Sequence, residues 1–520
     1  MKLGLIPLDE RPANTRYPAM IAAIGGASLA LPPPAILSAR RRPADCAALA
    51  DWLAHTAPTL DGLVVSCEML GYGGLIASRT SREPAGAILA RLDLLRAIRR
   101  GHPRLPIFGF SLIARVSNAD DAAEEPEYWA TFGARLYRLS QLLDRRRQGQ
   151  PVDGELDALA AEIPQEHRQD FLRRRLRNHA VNLGALQLLA DGALDLLVLS
   201  SDDTSPYGLP SREKRWLSEW ADLLGFNAER RTLNDEKVDV PRSAFSVQRL
   251  LMYPGADEVG CALLARLLNQ AHGLAPSFAA SYAPPEAAEN VAAYEDGPIC
   301  VTVERQVRAV GGRMAEADAD IWLAVDAPLA RRAEWSPEHA GQERAARLPA
   351  LEALAAEIDT RLARGQPVVV ADVAYPNGAD PALVELLLAR GDLTELAAYG
   401  GWNTAGNTIG TALAQACAAR LIRTAGQRAA QERFLLHRLV EDWGYQQVAR
   451  AELREWLRAE HGLAEPTPEL LPEACALIER RLDALIERLP GFAGRWRLAP
   501  GSVCLPWGRT FEVDFELEHV

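Results

Sequence analysis

Short apolar runs recur along this chain, and each is followed by polar and glycine residues and then by a helical stretch. Most of the runs are continuous rather than alternating, which is typical of strands covered by helices on both faces. Helices between successive strands favour a parallel α/β sheet. The predicted strands are residues 2–7, 62–66, 106–110, 195–200, 249–253, 277–282, 321–325, 367–371 and 396–399.

Strands and helices in this order are compatible with two architectures. They can close into a (β/α)8-like barrel, or they can form two doubly wound α/β domains with a break near residues 254–275. We expect the barrel, with a helical insertion at about 119–194. We predict that residues 1–410 form the α/β catalytic core and that 411–520 form a mainly helical C-terminal region.

The C-terminal region shows helical patterning over residues 412–460 and 472–489. Residues 509–515 alternate between polar and apolar, which predicts a terminal edge strand. We interpret this region as a cap or as the contact surface of a homodimer.

The composition of the chain argues against nucleic acid and membranes as partners. The 520 residues include 57 basic and 69 acidic side chains, so the net charge is −12 and the basic patch of a nucleic-acid binder is missing. The apolar runs fall short of the ~20 residues that cross a bilayer. The first apolar run is too short for a signal peptide, so we expect a cytoplasmic protein without membrane contact. The seven cysteines are scattered without CxxC, which indicates neither a disulfide framework nor a zinc site.

Dense polar clusters follow nearly every predicted strand. In parallel α/β folds, binding and catalytic sites are built at the carboxyl ends of strands. We therefore predict Asp202 and Asp203 as catalytic residues. The predicted substrate-binding residues are Asp9, Arg11, Glu68, Tyr72, Arg115, Asp257, Asp372, Asn377, Trp402, Asn403 and Asn407.

Asp202 and Asp203 are adjacent carboxylates at the end of a strand. In a shared desolvated pocket, one of them has a raised pKa, and two carboxyls with separated pKa values can serve as acid and base. The alternative is that one of them caps the helix that begins near Ser211.

The glycine-rich loop at residues 400–408 carries Trp402, Asn403 and Asn407. An aromatic face beside amide groups is a common way to bind sugar rings. The alternative is a tight turn in which Asn403 caps the next helix and Trp402 lies in the core.

The other candidates also have structural alternatives. Arg11 can clamp an anion or form a salt bridge, and Asp257 can stabilise the first turn of the following helix. Asp372 and Asn377 can hold a ligand or make turns around Gly378.

Several catalytic classes lack their motifs. The chain has no GxxxxGK[ST] and no GxGxxG that opens a helix, so we predict no nucleotide cofactor. It has no GxSxG nucleophile elbow. Oxygen ligands for a divalent metal remain possible, although we predict no specific metal site.

Four of the clusters together resemble a bacterial family defined as domain of unknown function 4127. They are Pro-Leu-Asp-Glu-Arg-Pro at 7–12, Glu-Met-Leu-Gly-Tyr-Gly-Gly-Leu-Ile-Ala-Ser-Arg at 68–79, Pro-Gly-Ala-Asp-Glu at 254–258, and Gly-Trp-Asn-Thr-Ala-Gly-Asn-Thr at 401–408. The resemblance covers residues 3–515.

The Asp202-Asp203 pair is also similar to the adjacent acids of barrel β-N-acetylhexosaminidases. This similarity implies that Asp202 orients a 2-acetamido group and that Asp203 is the general acid and base.

From these features we expect a glycoside hydrolase that acts on small sugars, including N-acetylated ones. One alternative is a metal-dependent hydrolase or lyase of small polar substrates, with oxygen ligands from Asp9, Glu68, Asp202, Asp257 and Asp372. The other is a non-catalytic sugar or metabolite binder.

Overall fold

Strands and helices alternate along most of the chain. The computed structural model describes residues 1–202, 204–226, 249–316, 318–329 and 337–520. Its strands are β1 (Lys2–Ile6), β2 (Ser28–Ala30), β3 (Gly62–Ser66), β4 (Ile107–Ile113), β5 (Leu196–Ser201), β6 (Leu250–Pro254), β7 (Ser277–Ala283), β8 (Arg313–Met314), β9 (Ile321–Asp326), β10 (Val368–Asp372), β11 (Ala398–Gly400), β12 (Trp496–Leu498) and β13 (Leu517–His519).

The helices fill the connections between these strands. The α-helices are α1 (Arg16–Ile24), α2 (Cys46–Thr56), α3 (Cys67–Tyr72), α4 (Leu75–Thr80), α5 (Ala85–Leu92), α6 (Leu94–Gly101), α7 (Trp129–Arg147), α8 (Asp153–Glu162), α9 (Gln165–Ala190), α10 (Leu209–Leu223), α11 (Val259–Ala271), α12 (Ile299–Ala309), α13 (Pro337–Ala363), α14 (Pro381–Arg390), α15 (Ala405–Ala419), α16 (Ala425–Leu439), α17 (Arg450–Trp456) and α18 (Leu471–Ile486). The segments Val440–Ala449 and Leu457–His461 are π-helical.

The predicted α/β class with parallel strands is confirmed. Six strands form one sheet in the order β2-β1-β3-β4-β5-β6, and five form another in the order β11-β10-β9-β7-β8. Strands β1, β3, β4, β5 and β6 pair in parallel, and so do all five strands of the second sheet. Strands β12 and β13 form a separate antiparallel pair.

The preferred barrel is not confirmed, because the strands divide between two open sheets. The division falls between Pro254, where β6 ends, and Ser277, where β7 begins. It therefore lies where the two-domain alternative expected it. Strand patterning could not separate the two architectures, because strands of both are buried on both faces.

The two sheets share one winding order. Numbered along the chain, the first sheet reads 2-1-3-4-5-6, and the second, read from β8, reads 2-1-3-4-5. This is a doubly wound order, in which the winding reverses between the first and third strands. Ligands of such sheets bind in the crevice at the carboxyl ends of the strands, near that reversal.

Contacts divide the chain into two compact units. Unit 1 comprises residues 1–10 and 30–256, and unit 2 comprises residues 11–29 and 257–520. Each unit has its own apolar core around its sheet. A smaller core lies within unit 1 and includes residues of α7, α8 and α9, the helices of the predicted insertion. The predicted boundary at residue 410 stays a prediction.

Burial explains why the strands read as continuous apolar runs. Every residue of β3, β4, β5, β9 and β10 is buried. Helices therefore cover both faces of each sheet, and a polar side chain placed within these strands would be desolvated.

The edge strand predicted at 509–515 is wrong. Its only ladder contact is a single bridge from Asp514 to Cys504 within the described chain, and the terminal strand is β13 instead. Within this segment, Glu512 lies 3.8 Å from Arg11 and Asp514 lies 3.0 Å from Arg16. Alternation in the sequence cannot distinguish side chains that make such ion pairs from those of a strand.

In the described ranges, no helix combines the length and the apolar character needed to cross a bilayer. All seven cysteines are free thiols.

Candidate functional site

A cluster of acids and arginines lies in unit 1 beyond β4 and β5. Arg115 follows β4, and Asp202 follows β5 directly. The strands are neighbours in the sheet, and the Asp202 N–H donates to the carbonyl oxygen of Ile113 at 3.3 Å. We call Arg79, Arg115, Glu124, Glu125 and Asp202 the acid–arginine cluster.

Arg79 is the centre of the acid–arginine cluster. Its guanidinium binds Asp202 through one nitrogen and Glu124, at 2.6 Å, through another. Arg115 also reaches Glu124, at 3.3 Å. The Arg79 side chain is 3% exposed, while those of Asp202 and Glu124 keep 12% and 14% of their surface exposed. The buried cation therefore holds two carboxylates that still reach solvent.

Glu125 differs from its neighbours because it is buried. Its carboxyl lies 3.9 Å from Arg115, and Oε1 makes no hydrogen bond within the described residues. Burial raises the pKa of Glu125 above its usual range. The cluster thus combines a carboxylate paired with a cation and a carboxyl that favours its protonated form.

The alternative role of Asp202 as a helix cap is wrong. The helix α10 begins at Leu209, and its N-cap residue is Gly208. The Asp202 side chain binds Arg79 instead. The second predicted catalytic residue, Asp203, lies outside the described residues.

Glu68 and Tyr72 are buried in α3. The Glu68 carboxylate accepts hydrogen bonds from Ser111 Oγ at 3.1 Å and from the Leu112 N–H at 2.8 Å, and burial raises its pKa to about 7. The Tyr72 hydroxyl donates to Asn178 Oδ1 at 3.1 Å. Both polar groups are thereby satisfied within the core of unit 1. Asp9 is likewise buried.

In unit 2, Asp257 is the centre of a second polar group. Its carboxylate accepts from Arg11 at 2.6 and 3.3 Å and from Asn14 Nδ2 at 3.1 Å. Asn403 Nδ2 donates to the other oxygen at 3.1 Å, and the Asp257 N–H donates to Asn407 Oδ1 at 3.0 Å. Four of the predicted binding residues therefore meet here, with Asn14 as a fifth member. We call these five residues the Asp257 network.

The loop before α15 agrees in part with the tight turn that was the alternative to a sugar-binding loop. Trp402 lies in the core at 5% exposed, 6.0 Å from the ring of Phe511, as the alternative expected. Asn403 does not cap α15, whose N-cap residue is Thr404. Its side chain binds Asp257, and its backbone adopts a left-handed φ of 66°. The Asn403 carbonyl accepts from the N–H of Asn377, which has a φ of 60°.

Asp372 belongs to a buried group of acids at the ends of β9 and β10. It is opposite Asp326 in the sheet register and accepts from the Asp380 N–H at 2.9 Å. Arg347 binds both Asp326 and Asp380. Burial raises the pKa of Asp326 and of Asp372, and repulsion from the neighbouring carboxyl of Asp380 raises both further.

A small, partly open pocket lies in unit 2. Its walls come from the segments that follow β7, β9, β10 and β11. Asn403 connects this pocket to the Asp257 network. The lining residues are Ala292, Ala293, Pro328, Val373, Ala374, Tyr375, Pro376, Asn403, Ala405 and Thr408.

The sequence analysis did not identify Arg79, Glu124 and Glu125, which form most of the acid–arginine cluster. Arg79 ends the motif at 68–79, and its position in that motif is the one sequence signal that pointed to it. Glu124 and Glu125 lie in a charged stretch without periodicity, so nothing in the pattern placed them near β5. Among the described residues, no three or more His, Cys, Asp or Glu side chains form a group that could hold a metal ion.

The motifs that resemble the family lie at the carboxyl ends of strands. Residues 7–12 follow β1, 68–79 follow β3, 254–258 begin at the last residue of β6, and 401–408 follow β11. Comparison with curated proteins and with solved structures finds no match. A family model described as protein of unknown function (DUF4127) matches residues 3–516. The chain therefore belongs to the DUF4127 family.

Proposed function

We propose that the protein is a glycoside hydrolase of small sugars, and that the acid–arginine cluster supplies its catalytic carboxyl groups. One observation carries the proposal. Asp202 is paired with the buried cation of Arg79, whereas burial raises the pKa of Glu125 in the same cluster. A carboxylate paired with a cation and a second carboxyl whose pKa is raised are the two kinds of group that glycoside hydrolysis uses.

The roles follow from these surroundings. Glu125 protonates the oxygen of the leaving sugar, because burial raises the pKa of its carboxyl above the usual range. Asp202 pairs with the guanidinium of Arg79, so it serves as nucleophile or as the base that activates water. Arg79 positions Asp202 and Glu124 through separate nitrogens, which only a guanidinium can do with this geometry.

Asp203 is the other candidate for the acid. The similarity to β-N-acetylhexosaminidases implies that Asp202 orients an acetamido group and that Asp203 carries the proton. The two assignments can be separated by experiment, because they differ in whether substitution of Glu125 or of Asp203 removes proton donation to the leaving group.

The test is turnover of aryl glycosides with good and poor leaving groups, including N-acetylglucosaminides and N-acetylgalactosaminides. D202N should lose turnover on all of them by about 10²-fold or more. E125Q should lose turnover on poor leaving groups and keep it on activated ones, because an activated aryl group departs without a proton. E127Q is the matched control, since Glu127 is exposed two residues further along the chain.

The same panel separates the alternatives. If D203N rather than E125Q shows the leaving-group dependence, Asp203 is the acid. Turnover that disappears on chelation and returns with a divalent metal would support the metal-dependent hydrolase. Normal turnover in D202N would contradict the proposal.

A further inference from the structure

The exposed apolar side chains of this protein are concentrated on one surface of unit 1. Among the described residues, nine large apolar side chains are exposed, and two of them belong to the terminal residues Met1 and Val520. Six of the other seven lie on α9, on α10 or directly after α10. They are Leu172, Leu176, Trp216, Trp220, Leu223 and Leu224. We call these six residues the α9–α10 apolar stripe.

The two helices lie side by side and run in the same direction. Arg175 of α9 binds Glu213 of α10 with two nitrogens, and one turn further along both helices the ring of His179 lies 5.6 Å from that of Trp216. The exposed apolar positions recur every three or four residues, which places them on one side of each helix. The stripe therefore runs continuously from the first half of α9, past His179 and Trp216, to the end of α10.

We propose that the α9–α10 apolar stripe is the contact surface between two copies of this chain, which form a homodimer with two-fold symmetry. The contact belongs to unit 1 of each copy. It is a different surface from the C-terminal region in which the sequence suggested a homodimer contact. The proposal does not depend on hydrolysis.

The size of the stripe supports a protein partner. Leu176 and Leu223 are 71% and 77% exposed. The six side chains together expose an apolar area on the order of 500 Å², since a large side chain offers ~150–250 Å². The largest apolar patches of monomers measure ~300–600 Å² and are often functional, and a stable interface buries ~800 Å² on each partner. The stripe therefore supplies the apolar centre of such an interface, and the polar residues around it supply the rim.

The charges beside the stripe indicate that the partner is a second copy. Arg173 is exposed next to Leu172 at the α9 end, and Glu219 is exposed next to Trp220 at the α10 end. A two-fold axis that crosses the middle of the stripe exchanges its two ends. Arg173 of each copy then faces Glu219 of the other, so opposite charges meet twice. An anionic membrane on the same surface would place Glu219 beside negatively charged headgroups, which disfavours that occupant.

Sedimentation velocity of the full chain tests the proposal at protein concentrations from about 0.1 to 100 μM. We expect the mass of two chains at the upper concentrations. W220E places a carboxylate in the apolar contact and should raise the dissociation constant of the dimer at least about 30-fold. L176E tests the other half of the stripe in the same way. M314E is the matched control, because Met314 is an exposed apolar residue of unit 2 and its substitution should leave the dissociation constant unchanged.

A charge exchange tests the symmetry of the contact. R173E and E219R should each raise the dissociation constant at least about tenfold, because like charges then face each other twice. The double variant R173E/E219R should return to within about threefold of the wild type, since opposite charges meet again. Two residues on separate parts of a surface that is not shared between copies would give additive effects instead.

The substituted side chains are exposed, so the far-UV circular dichroism of each variant should match that of the wild type. The proposal is overturned if the wild type remains monomeric at about 100 μM. It is also overturned if W220E and L176E dimerise as tightly as the wild type, because the dimer would then use another surface. Additive losses in the R173E/E219R variant would overturn the two-fold arrangement. The outcome of the glycoside panel leaves each of these results unchanged.

Discussion

The guanidinium of Arg11 binds the carboxylate of Asp257 with two hydrogen bonds, of 2.6 and 3.3 Å, across 246 positions of sequence. Both side chains are nearly buried, at 5% and 6% exposed. Arg11 also lies over the ring of Trp507, 4.7 Å from its centroid. The Arg11 guanidinium therefore contacts residues from the middle and from the end of the chain within unit 2.

Loss of either partner should destabilise the protein strongly. R11A leaves a buried carboxylate without its cation, so we expect a loss of about 3–5 kcal/mol in the free energy of unfolding. Urea denaturation measures this loss. R458A is the control, because the Arg458–Glu455 pair is mostly exposed and should contribute less than about 1 kcal/mol. Equal losses in both variants would contradict this assignment.

Glu258 should make the fold less stable as pH rises. Burial raises its pKa to about 8 from the ordinary 4.5, so the folded protein retains a proton that the unfolded chain releases. Stability conferred by this group is complete below about pH 4.5 and falls up to about pH 8, by at most ~1.4 kcal/mol per pH unit. E258Q mimics the protonated acid and should remove this slope. E352Q, at an exposed position of α13, should retain it.

His437 should make the fold less stable as pH falls below neutral, which is the opposite of the pH dependence expected for Glu258. Burial lowers its pKa to about 4, while Asp514 and Glu441 lie 3.8 and 3.9 Å from its ring nitrogens and Arg438 opposes its protonation. The unfolded chain binds this proton first, so stability should fall as pH drops from about 6.5 towards 4. Thermal melts of H437Q should lack this loss. H272Q, at an exposed position, should melt like the wild type across the range.

Gly410 should not tolerate a side chain. A Cβ there would lie 2.3 Å from Glu258 Cγ and 2.6 Å from Gln306 Oε1. G410A should therefore lower the melting temperature, because a core clash of ~1–3 kcal/mol exceeds the ~1 kcal/mol that alanine adds to a helix. G426A in α16 is the control, since its nearest neighbour is 4.0 Å away. A G410A protein as stable as the wild type would show that α15 can shift.

Arg79→Lys should impair turnover under the proposed function. Lysine retains the charge but cannot bind Asp202 and Glu124 through two fixed nitrogens. We expect kcat to fall on the order of 10²-fold because the carboxylate is misplaced. If charge matters more than geometry for stability, R79K should unfold at a denaturant concentration close to that of the wild type, and R79Q at a lower one. Stability and kcat are therefore measured together. Wild-type kcat in R79K would contradict a positioning role.

Much of the fold was predictable because a strand that is buried on both faces has a continuous run of apolar residues in the sequence. All nine predicted strands are present, with ends displaced by at most three residues. The missed strands, β2, β8, β12 and β13, have two or three residues each, which is too short for a pattern. The barrel was favoured in error because the same apolar runs are compatible with a barrel and with two open sheets. The two architectures differ in which strands are hydrogen-bonded to each other, and that pairing joins residues far apart in the sequence.

The sequence predicted where the site residues lie in the fold better than it predicted which residues they contact. Arg11, Asp257, Asn403 and Asn407 all follow strands, and the structure brings them into one network. Arg115 and Asp202 follow adjacent strands and share a cluster. The role of Arg79 and the burial of Glu125 were not predictable, since both depend on segments that approach from elsewhere in unit 1.

The sequence by itself determined the α/β class, the parallel strands and the location of polar residues at their carboxyl ends, because these depend on local hydrophobic patterning and turn chemistry. The tertiary structure alone decided that there are two sheets, that Asp202 pairs with Arg79, and that Asn403 binds Asp257 instead of capping α15. Pairing of this kind depends on distances between residues far apart in the chain, and composition and spacing do not encode those distances.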